Sequence, residues 1–284
     1  MPVLARVLRC CIALSLCCAA AAIAQSYPNK PIRLISPYAP GGGSDTLARI
    51  IGVKLTESWG QPVIIENRPG AAGSIGAEAA AKATPDGYTV LVTPSAVLTV
   101  NPLIYPKLRY DPVRDFEPIT IATNSPYLLV VHPSIPAATV KELIAYARSK
   151  PGQLNYSSSG NGSSTHLAGV LFAQLAGLQL VHVPYKGAAP AIVDLLGGQI
   201  HMRFSSVVPV IPHVRAGKLR ALGISSAKRY GPLPDVPAIN EAGLPGFIVD
   251  SWYGILAPAR TPRPIVTKLN SEIVRHLKSD DLKT

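Results

Sequence analysis

The sequence predicts an α/β protein with two domains, each built on a parallel-rich sheet that helices flank. Apolar strand-like runs alternate with helical stretches along most of the 284 residues, and this alternation is typical of parallel sheets covered on both faces. Two glycine-rich turns, around Gly42 and Gly162, each follow a strand and open a helix. They lie too far apart in the chain for one βαβ unit, which favours one turn in each domain.

The predicted strands are short and are bounded by turn residues. They are Ile32–Ser36, Val63–Glu66, Tyr88–Thr93, Tyr127–His132, Gln153–Tyr156, Val181–Pro184, Ile200–Phe204, Leu219–Ser225 and Ile248–Leu256. Caps and breakers bound the predicted helices; Thr139 and Glu142, for example, form a capping box. The helices are Thr46–Trp59, Ser74–Ala83, Thr139–Lys150, His166–Leu178, Pro190–Leu196 and Pro262–Lys278.

Two crossings of the chain between the domains are expected, near residues 121–126 and near the Pro- and Gly-rich segment 226–237. We therefore expect one domain from residues 25–122 plus 230–284 and a second from residues 123–229. Two adjacent crossings would form a natural hinge.

Residues 1–24 are typical of a secretory signal peptide. Arg6 and Arg9 precede a mostly apolar run, and Ala22-Ile23-Ala24 fits a cleavage site before Gln25. A membrane anchor or lipoprotein processing fits less well, because the run is shorter than a spanning helix and Leu16 or Cys17 is a poor residue before a lipidated cysteine. All four cysteines fall in this segment, so the exported chain is expected to have no disulfide, thiol nucleophile or cysteine–metal site.

The exported chain is basic, with 25 Lys and Arg against 16 Asp and Glu. The basic residues are scattered, no run of five occurs, and aromatic residues make up 6% of the chain. This pattern favours a solvated basic surface over nucleic-acid binding.

The first glycine turn, Pro37–Asp45, predicts a site for a small anion. A strand–glycine–helix junction presents free backbone N–H groups and the positive end of a helix dipole. The turn lacks the Gly-Lys-Ser/Thr ending of a phosphate loop, and Asp45 would repel a phosphate above it. We expect Asp45 to fix the loop, whereas Ser44 either caps the helix or faces the ligand.

The second turn, Ser157–Ser164, carries more hydroxyl groups. Ser163 or Ser164 is expected to be the N-cap, with another hydroxyl facing the ligand. His166 is interpreted as bracing the loop in preference to acting as a base. Pro184–Gly187 should lie on the same rim, where Tyr185 could pack over a ligand and Lys186 is either exposed or directed at the solute.

No catalytic pattern is visible in the sequence. There is no Gly-x-Ser-x-Gly elbow, no pair of histidines three to five residues apart, and no carboxylate couple. We therefore predict no enzymatic activity, no metal and no cofactor.

The ordered set of short motifs resembles the solute-binding proteins of the tripartite tricarboxylate transporter family, also called the Bug family. The matching stretches are Tyr27–Arg33, Pro37–Asp45, Glu66–Gly70, Pro85–Tyr88, Tyr110–Pro112, Pro151–Tyr156, Gly160–Gly162, His182–Gly187, Gly217–Leu222, Leu233–Pro237 and Glu241–Gly246. They cover nearly the whole exported chain.

The resemblance implies a monomeric, two-lobed periplasmic binding protein of the type II-like fold, with a small carboxylate in the cleft and delivery to inner-membrane permease subunits. It implies recognition by backbone and hydroxyl groups of two facing loops, often with bridging water. Charge-assisted bonds to several N–H groups can suffice for a carboxylate, so no buried arginine is needed. A sensor for a membrane receptor is the alternative, and an exported hydrolase is a further one. The ligand-binding residues carried over by motif are Tyr38, Ala39, Gly41, Gly42, Ser44, Asp45, Ser95, Ala96, Ser159, Gly160, Asn161, Gly162, Ser163, Ser164, Tyr185, Gly187, Phe204 and Ser205.

Two departures from the family pattern matter. Many relatives carry an Asp-Asn pair where this chain has Ser205-Ser206, preceded by Arg203, and the missing carboxylate argues against an amino-acid ligand. Relatives also continue beyond the position of Thr284, so we expect a first lobe shortened at its C-terminal end.

Overall fold

The structure is a computed structural model that describes residues 27–279. The predicted signal peptide, with all four cysteines, lies outside the described residues. Between residues 27 and 279, none of the helices combines the length and the apolar content that a bilayer crossing requires.

Ten strands form two five-stranded sheets in the described part of the chain. The strands are β1 (Ile32–Ser36), β2 (Val63–Asn67), β3 (Thr89–Pro94), β4 (Phe116–Asn124), β5 (Tyr127–Val131), β6 (Asn155–Ser158), β7 (Val181–Pro184), β8 (Met202–Ser206), β9 (Arg220–Ile224) and β10 (Trp252–Pro258). The helices are α1 (Gly43–Trp59), α2 (Ser74–Ala81), α3 (Ala96–Thr99), α4 (Asn101–Ile104), α5 (Val140–Ser149), α6 (Ser164–Ala176), α7 (Ala188–Leu196), α8 (Val207–Arg215) and α9 (Arg263–Leu277).

The two sheets share one arrangement. The first has the order β2-β1-β3-β10-β4 and the second β7-β6-β8-β5-β9. In each sheet the fourth strand, β10 or β5, runs antiparallel to both of its neighbours. Each of these two strands follows a crossing between the sheets, so the chain enters the sheet from the cleft side and must run opposite to the others. The predicted parallel-rich α/β sheets are present, with one antiparallel strand in each.

Helices cover both sheets. We call the first sheet with its helices the first lobe, and the second sheet with its helices the second lobe. In the first lobe, Ile51 of α1 and Leu269 of α9 pack with Leu34 of β1. In the second, Phe172 of α6 packs with Phe204 of β8, with ring centroids 5.8 Å apart. Burying a large apolar side chain contributes about 1.5–3 kcal/mol, so each lobe has a core of its own.

The first crossing lies close to the expected one, but the return lies later. The chain leaves the first sheet at Asn124 and enters the second at Tyr127. Ile239, Leu244 and Phe247 are buried in the second lobe, and the segment then returns near residue 250. The chain therefore stays on the second sheet beyond residue 230, because these apolar side chains cover the second sheet and not the first.

Candidate functional site

Both lobes contribute to one small cavity at the cleft-facing ends of their strands. The space left inside is about 30 Å³, enough for a water molecule or two. The lining residues are Tyr38, Gly42, Gly43, Ser44, Pro94 and Tyr253 from the first lobe and Tyr127, Ser159, Ser163, Ser164, Thr165, Ala188, Arg203 and Ser206 from the second. The two glycine-rich turns thus meet at a shared cavity.

The first turn is held from behind by the carboxylate of Asp45, which is 2% exposed. It accepts hydrogen bonds from the Gly41 N–H, from Asn67 Nδ2 and from Arg49 Nε, each at 2.9 Å. Burial alone would raise the pKa of Asp45, but these hydrogen bonds together lower it below its ordinary value. The carboxylate therefore fixes the loop, as its sequence position predicted.

Helix α1 begins on the cavity without a side-chain cap. Its N-cap is Gly42, which has no side chain to accept from the first turn. Ser44 is not the cap; its Oγ lies 2.9 Å from Ser36 Oγ in β1. The first N–H groups of a helix have no partner within the helix, and here they open on a cavity lined by Gly42, Gly43 and Ser44.

The second turn is braced by side chains of its own helix and of β7. Ser163 is the N-cap of α6, because its side chain accepts from the His166 N–H. His166 Nδ1 in turn accepts from the Gly162 N–H at 3.0 Å, and its ring stacks on His182 with centroids 4.0 Å apart. Burial lowers the pKa of both rings, that of His182 to about 4. His166 thus braces the loop, and neither histidine lines the cavity.

Arg203 brings a positive charge to the cavity from the middle of the second sheet. Its side chain is fully buried, and its Nη1 and Nη2 donate to Ser157 Oγ at 3.3 Å and Ser159 Oγ at 3.0 Å. Burial lowers its pKa to about 10, so the group remains a cation at neutral pH. The sequence analysis required no buried arginine for carboxylate recognition, yet one lines this cavity.

Three tyrosines complete the polar wall of the cavity. Burial raises the pKa of Tyr38, Tyr127 and Tyr253 above the ordinary value, so all three are neutral at physiological pH. Tyr127 and Tyr253 lie at the start of β5 and β10, the two antiparallel strands, which places one phenol from each lobe at the cleft.

The lobes touch at three hydrogen bonds around this cavity. The Ala39 N–H donates to the Lys186 carbonyl at 3.2 Å, and the Tyr105 hydroxyl donates to the Asn161 carbonyl at 2.7 Å. Ser206 Oγ lies 3.0 Å from the Tyr253 hydroxyl. These contacts hold the two lobes together around the cavity, so a wider opening of the cleft would break them.

Six of the residues predicted from the sequence line the cavity: Tyr38, Gly42, Ser44, Ser159, Ser163 and Ser164. Others lie where the lobes touch: Ala39, Gly41, Gly160, Asn161, Gly162 and Gly187. Asp45 lies behind the first turn, Ser95 Oγ lies 3.2 Å from Ser251 Oγ, and Ala96 begins α3.

Three further predicted residues direct their side chains elsewhere. The Tyr185 hydroxyl donates to Asp194 at 2.5 Å, and Phe204 packs in the lobe core. Ser205 Oγ is buried and has no hydrogen-bond partner within residues 27–279. Lys186 is exposed, and its carbonyl, not its ammonium group, contacts the other lobe.

The sequence analysis missed Tyr127, Tyr253 and Arg203 as cavity residues. Thr165, which also lines the cavity, belongs to the group of hydroxyls that the sequence offers at the second turn. The two tyrosines had no local signal, because only the antiparallel pairing brings the beginnings of β5 and β10 to the cleft. Among residues 27–279, no group of three or more His, Cys, Asp or Glu side chains could hold a metal ion.

Comparison with known proteins agrees with the fold and the cleft. A sequence model of the tripartite tricarboxylate transporter family receptor matches residues 47–282. The structure is similar to the periplasmic binding protein BugD, with 33% identity and a TM-score of 0.86 over 90% of this chain and 86% of that one. The chain therefore has the predicted two-lobed fold of the periplasmic binding proteins.

Two further similar structures carry bound dicarboxylates. One is a Rhodopseudomonas palustris protein with adipate, 39% identical, with a TM-score of 0.88 over 90% of this chain and 86% of that one. The other is MatC from Rhodopseudomonas palustris with malate, 36% identical, with a TM-score of 0.85 over 91% of this chain and 88% of that one.

Proposed function

The chain belongs to the tripartite tricarboxylate transporter receptor family, and from that premise we propose that it is a periplasmic solute-binding protein for a small carboxylate. The observation that carries the proposal is the position of two helix N-termini. Helix α1 of the first lobe and helix α6 of the second begin on the same cavity. Both present N–H groups and positive dipole ends to it.

A carboxylate suits this cavity better than a neutral solute does. Hydrogen bonds from N–H groups to an ionised acceptor are about twice as strong as those between neutral groups. The hydroxyls of Ser44, Ser159 and Ser164 and the neutral phenols can donate to the remaining oxygen lone pairs. The adipate and malate held by two similar proteins support the same ligand class.

Binding and closure are coupled in this proposal. A solute that contacts both turns stabilises the closed arrangement by its differential affinity for the two states. The closed form then presents one continuous surface, which we propose is read by membrane permease subunits. The proposal gives His166 and His182 the role of bracing the second turn and assigns no residue a catalytic role.

The direct test is calorimetry of the purified protein with succinate, malate, adipate and citrate, after dialysis from mild denaturant to remove carried solute. Mass spectrometry of the solute released in that step identifies the natural ligand. We expect heat and a rise in melting temperature with at least one acid. Folded protein that binds none of them and releases no carboxylate contradicts the proposal.

A further inference from the structure

Arg203 is a buried cation without a counter-ion. Among residues 27–279, no Asp or Glu lies within 4.0 Å of its guanidinium nitrogens, whereas every ion pair found in this region involves other residues. Its guanidinium donates to two serine hydroxyls, and no group in the described part of the chain accepts a hydrogen bond from its Nε. The phenols near it are neutral.

A purely structural role does not account for a charge at this position. Desolvating a cation without a paired anion is strongly unfavourable, and two hydrogen bonds to hydroxyls return only part of that loss. A neutral side chain of similar length would fill the same space without the penalty. The positive charge is therefore useful only if a negative charge reaches it.

The cavity is where such a charge can arrive. Arg203 lines it, and Nη2 donates to Ser159, which lines it as well. A guanidinium has five N–H donors, of which two are engaged here. Ser205 Oγ lies two residues further along the same face of β8, and this buried atom also has no partner among the residues that the structure describes.

We propose that Arg203 is the specificity-determining counter-ion of the solute, so that the cleft closes stably only around an ionised carboxylate placed against β8. The proposal rests on the proposed function and names the residue that recognises the negative charge of the solute. Ser205 fits this role, because an acidic residue at that position, on the same face of β8, would pair with Arg203 and neutralise it before any ligand arrived.

The test compares an acid with its uncharged amide on wild-type protein and on variants. The probes are adipate and adipamide, or succinate and succinamide, whichever acid binds the wild type in calorimetry. We expect the wild type to prefer the acid by more than about 100-fold, because an unpaired buried charge remains with the amide. We expect R203M to lose most of that preference, and R203K to fall between the two.

The ligand-free melting temperature separates this role from a structural one. R203M should melt at the same temperature as the wild type or higher, because it removes an uncompensated buried charge. R148M changes an exposed arginine that donates to the Ala176 carbonyl at 2.8 Å, and this variant should bind the acid as the wild type does.

The outcomes distinguish the two proposals. If the wild type binds no acid, the proposed function fails. If the wild type binds acid and amide within threefold of each other, or if folded R203M keeps the full preference for the acid, the role of Arg203 is overturned while carboxylate binding stands. Should R203M not fold, the acid–amide comparison on the wild type and R203K still decides.

Discussion

The Tyr253 hydroxyl of the first lobe lies 3.0 Å from Ser206 Oγ of the second. Ser206 ends β8 and pairs across the sheet with Tyr127, which begins β5. Tyr253 occupies the corresponding place near the start of β10, opposite Pro94 at the end of β3. Each antiparallel strand thus sets a tyrosine at the cleft, and closure brings one of them against the opposite lobe.

Removing this hydroxyl should weaken ligand binding without weakening either lobe. In Tyr253→Phe, the ring still packs but the contact with Ser206 is lost. A hydrogen bond of this kind contributes about 1 kcal/mol, so we expect a roughly fivefold rise in the Kd of the bound acid by calorimetry. The control is Tyr88→Phe, whose hydroxyl donates to Asn29 within the first lobe. Equal affinities in the two variants would contradict a role in closure.

A methyl group at Gly187 should hold the lobes apart. An added Cβ there would lie 2.9 Å from the Ala39 nitrogen across the cleft, and the φ of Gly187 is +150°. The matched control is Gly152→Ala, because Gly152 also has positive φ, at +71°, but an added Cβ meets nothing within 4 Å.

Both alanine variants carry a backbone strain of about 1–3 kcal/mol, so both should melt at lower temperature without ligand. Only Gly187→Ala should also lose affinity for the acid, by roughly tenfold or more, because blocking closure removes contacts that bound solute makes with one lobe. If both variants lose affinity equally, or if neither loses affinity, the contact between Gly187 and Ala39 does not limit closure.

The local parts of the site could be predicted from the sequence. Strand–glycine–helix junctions are encoded by adjacent residues, and Gly42, Ser44, Ser159 and Ser163 therefore reach the cavity as expected. The choice between Ser163 and Ser164 as N-cap could not be made, since both have the right chemistry and spacing and only the turn geometry decides.

The parts of the site that depend on distant residues could not be predicted from the sequence. Met202-Arg203-Phe204 predicts a strand whose side chains alternate between two faces. No neighbouring residue in the sequence indicates that α7 and the cleft cover the face that carries Arg203. The segment from Ile239 to Phe247 lacks a helical or strand period, so its sequence does not show which sheet it packs on. Both depend on contacts between residues far apart in the chain.

Loss of the Asp45 carboxylate should destabilise the first turn. In Asp45→Asn, one of the two acceptor oxygens becomes an NH₂ group that faces donors from Gly41, Asn67 or Arg49. Leaving buried donors unsatisfied costs about 1–3 kcal/mol, which corresponds to a fall in melting temperature of roughly 2–10 °C for lobes of this size. Affinity for the acid should fall as well, because the loop positions the N-terminus of α1.

Asp86→Asn is the control for that change. Asp86 forms an exposed ion pair with Lys30 at 3.0 Å, and pairs of this kind contribute about 0–1 kcal/mol. Its melting temperature should stay within about 2 °C of the wild type. If the two asparagine variants melt alike, the carboxylate of Asp45 does not hold the turn.

Acid should loosen the second turn through the stacked rings of His166 and His182. Their folded-state pKa values lie below the ordinary value, that of His182 at about 4. The unfolded chain therefore binds more protons as the pH falls below about 6.5, and stability decreases from there down to about pH 4. Protonation of His166 also ends its acceptance from the Gly162 N–H, which lies at 3.0 Å.

We expect urea denaturation to show a loss of about 1 kcal/mol between pH 7 and pH 5, less than full burial would give because both rings are partly exposed. The range from pH 5 to pH 7 lies above the range in which carboxylates titrate, so the histidines dominate the change in stability there. His182→Asn should reduce the loss, and His201, whose pKa burial also lowers, accounts for part of what remains. His213→Asn, which changes a histidine outside the stack, should leave the loss unchanged. If His182→Asn and the wild type lose the same free energy of unfolding between pH 7 and pH 5, protonation of the stacked rings does not cause the acid sensitivity.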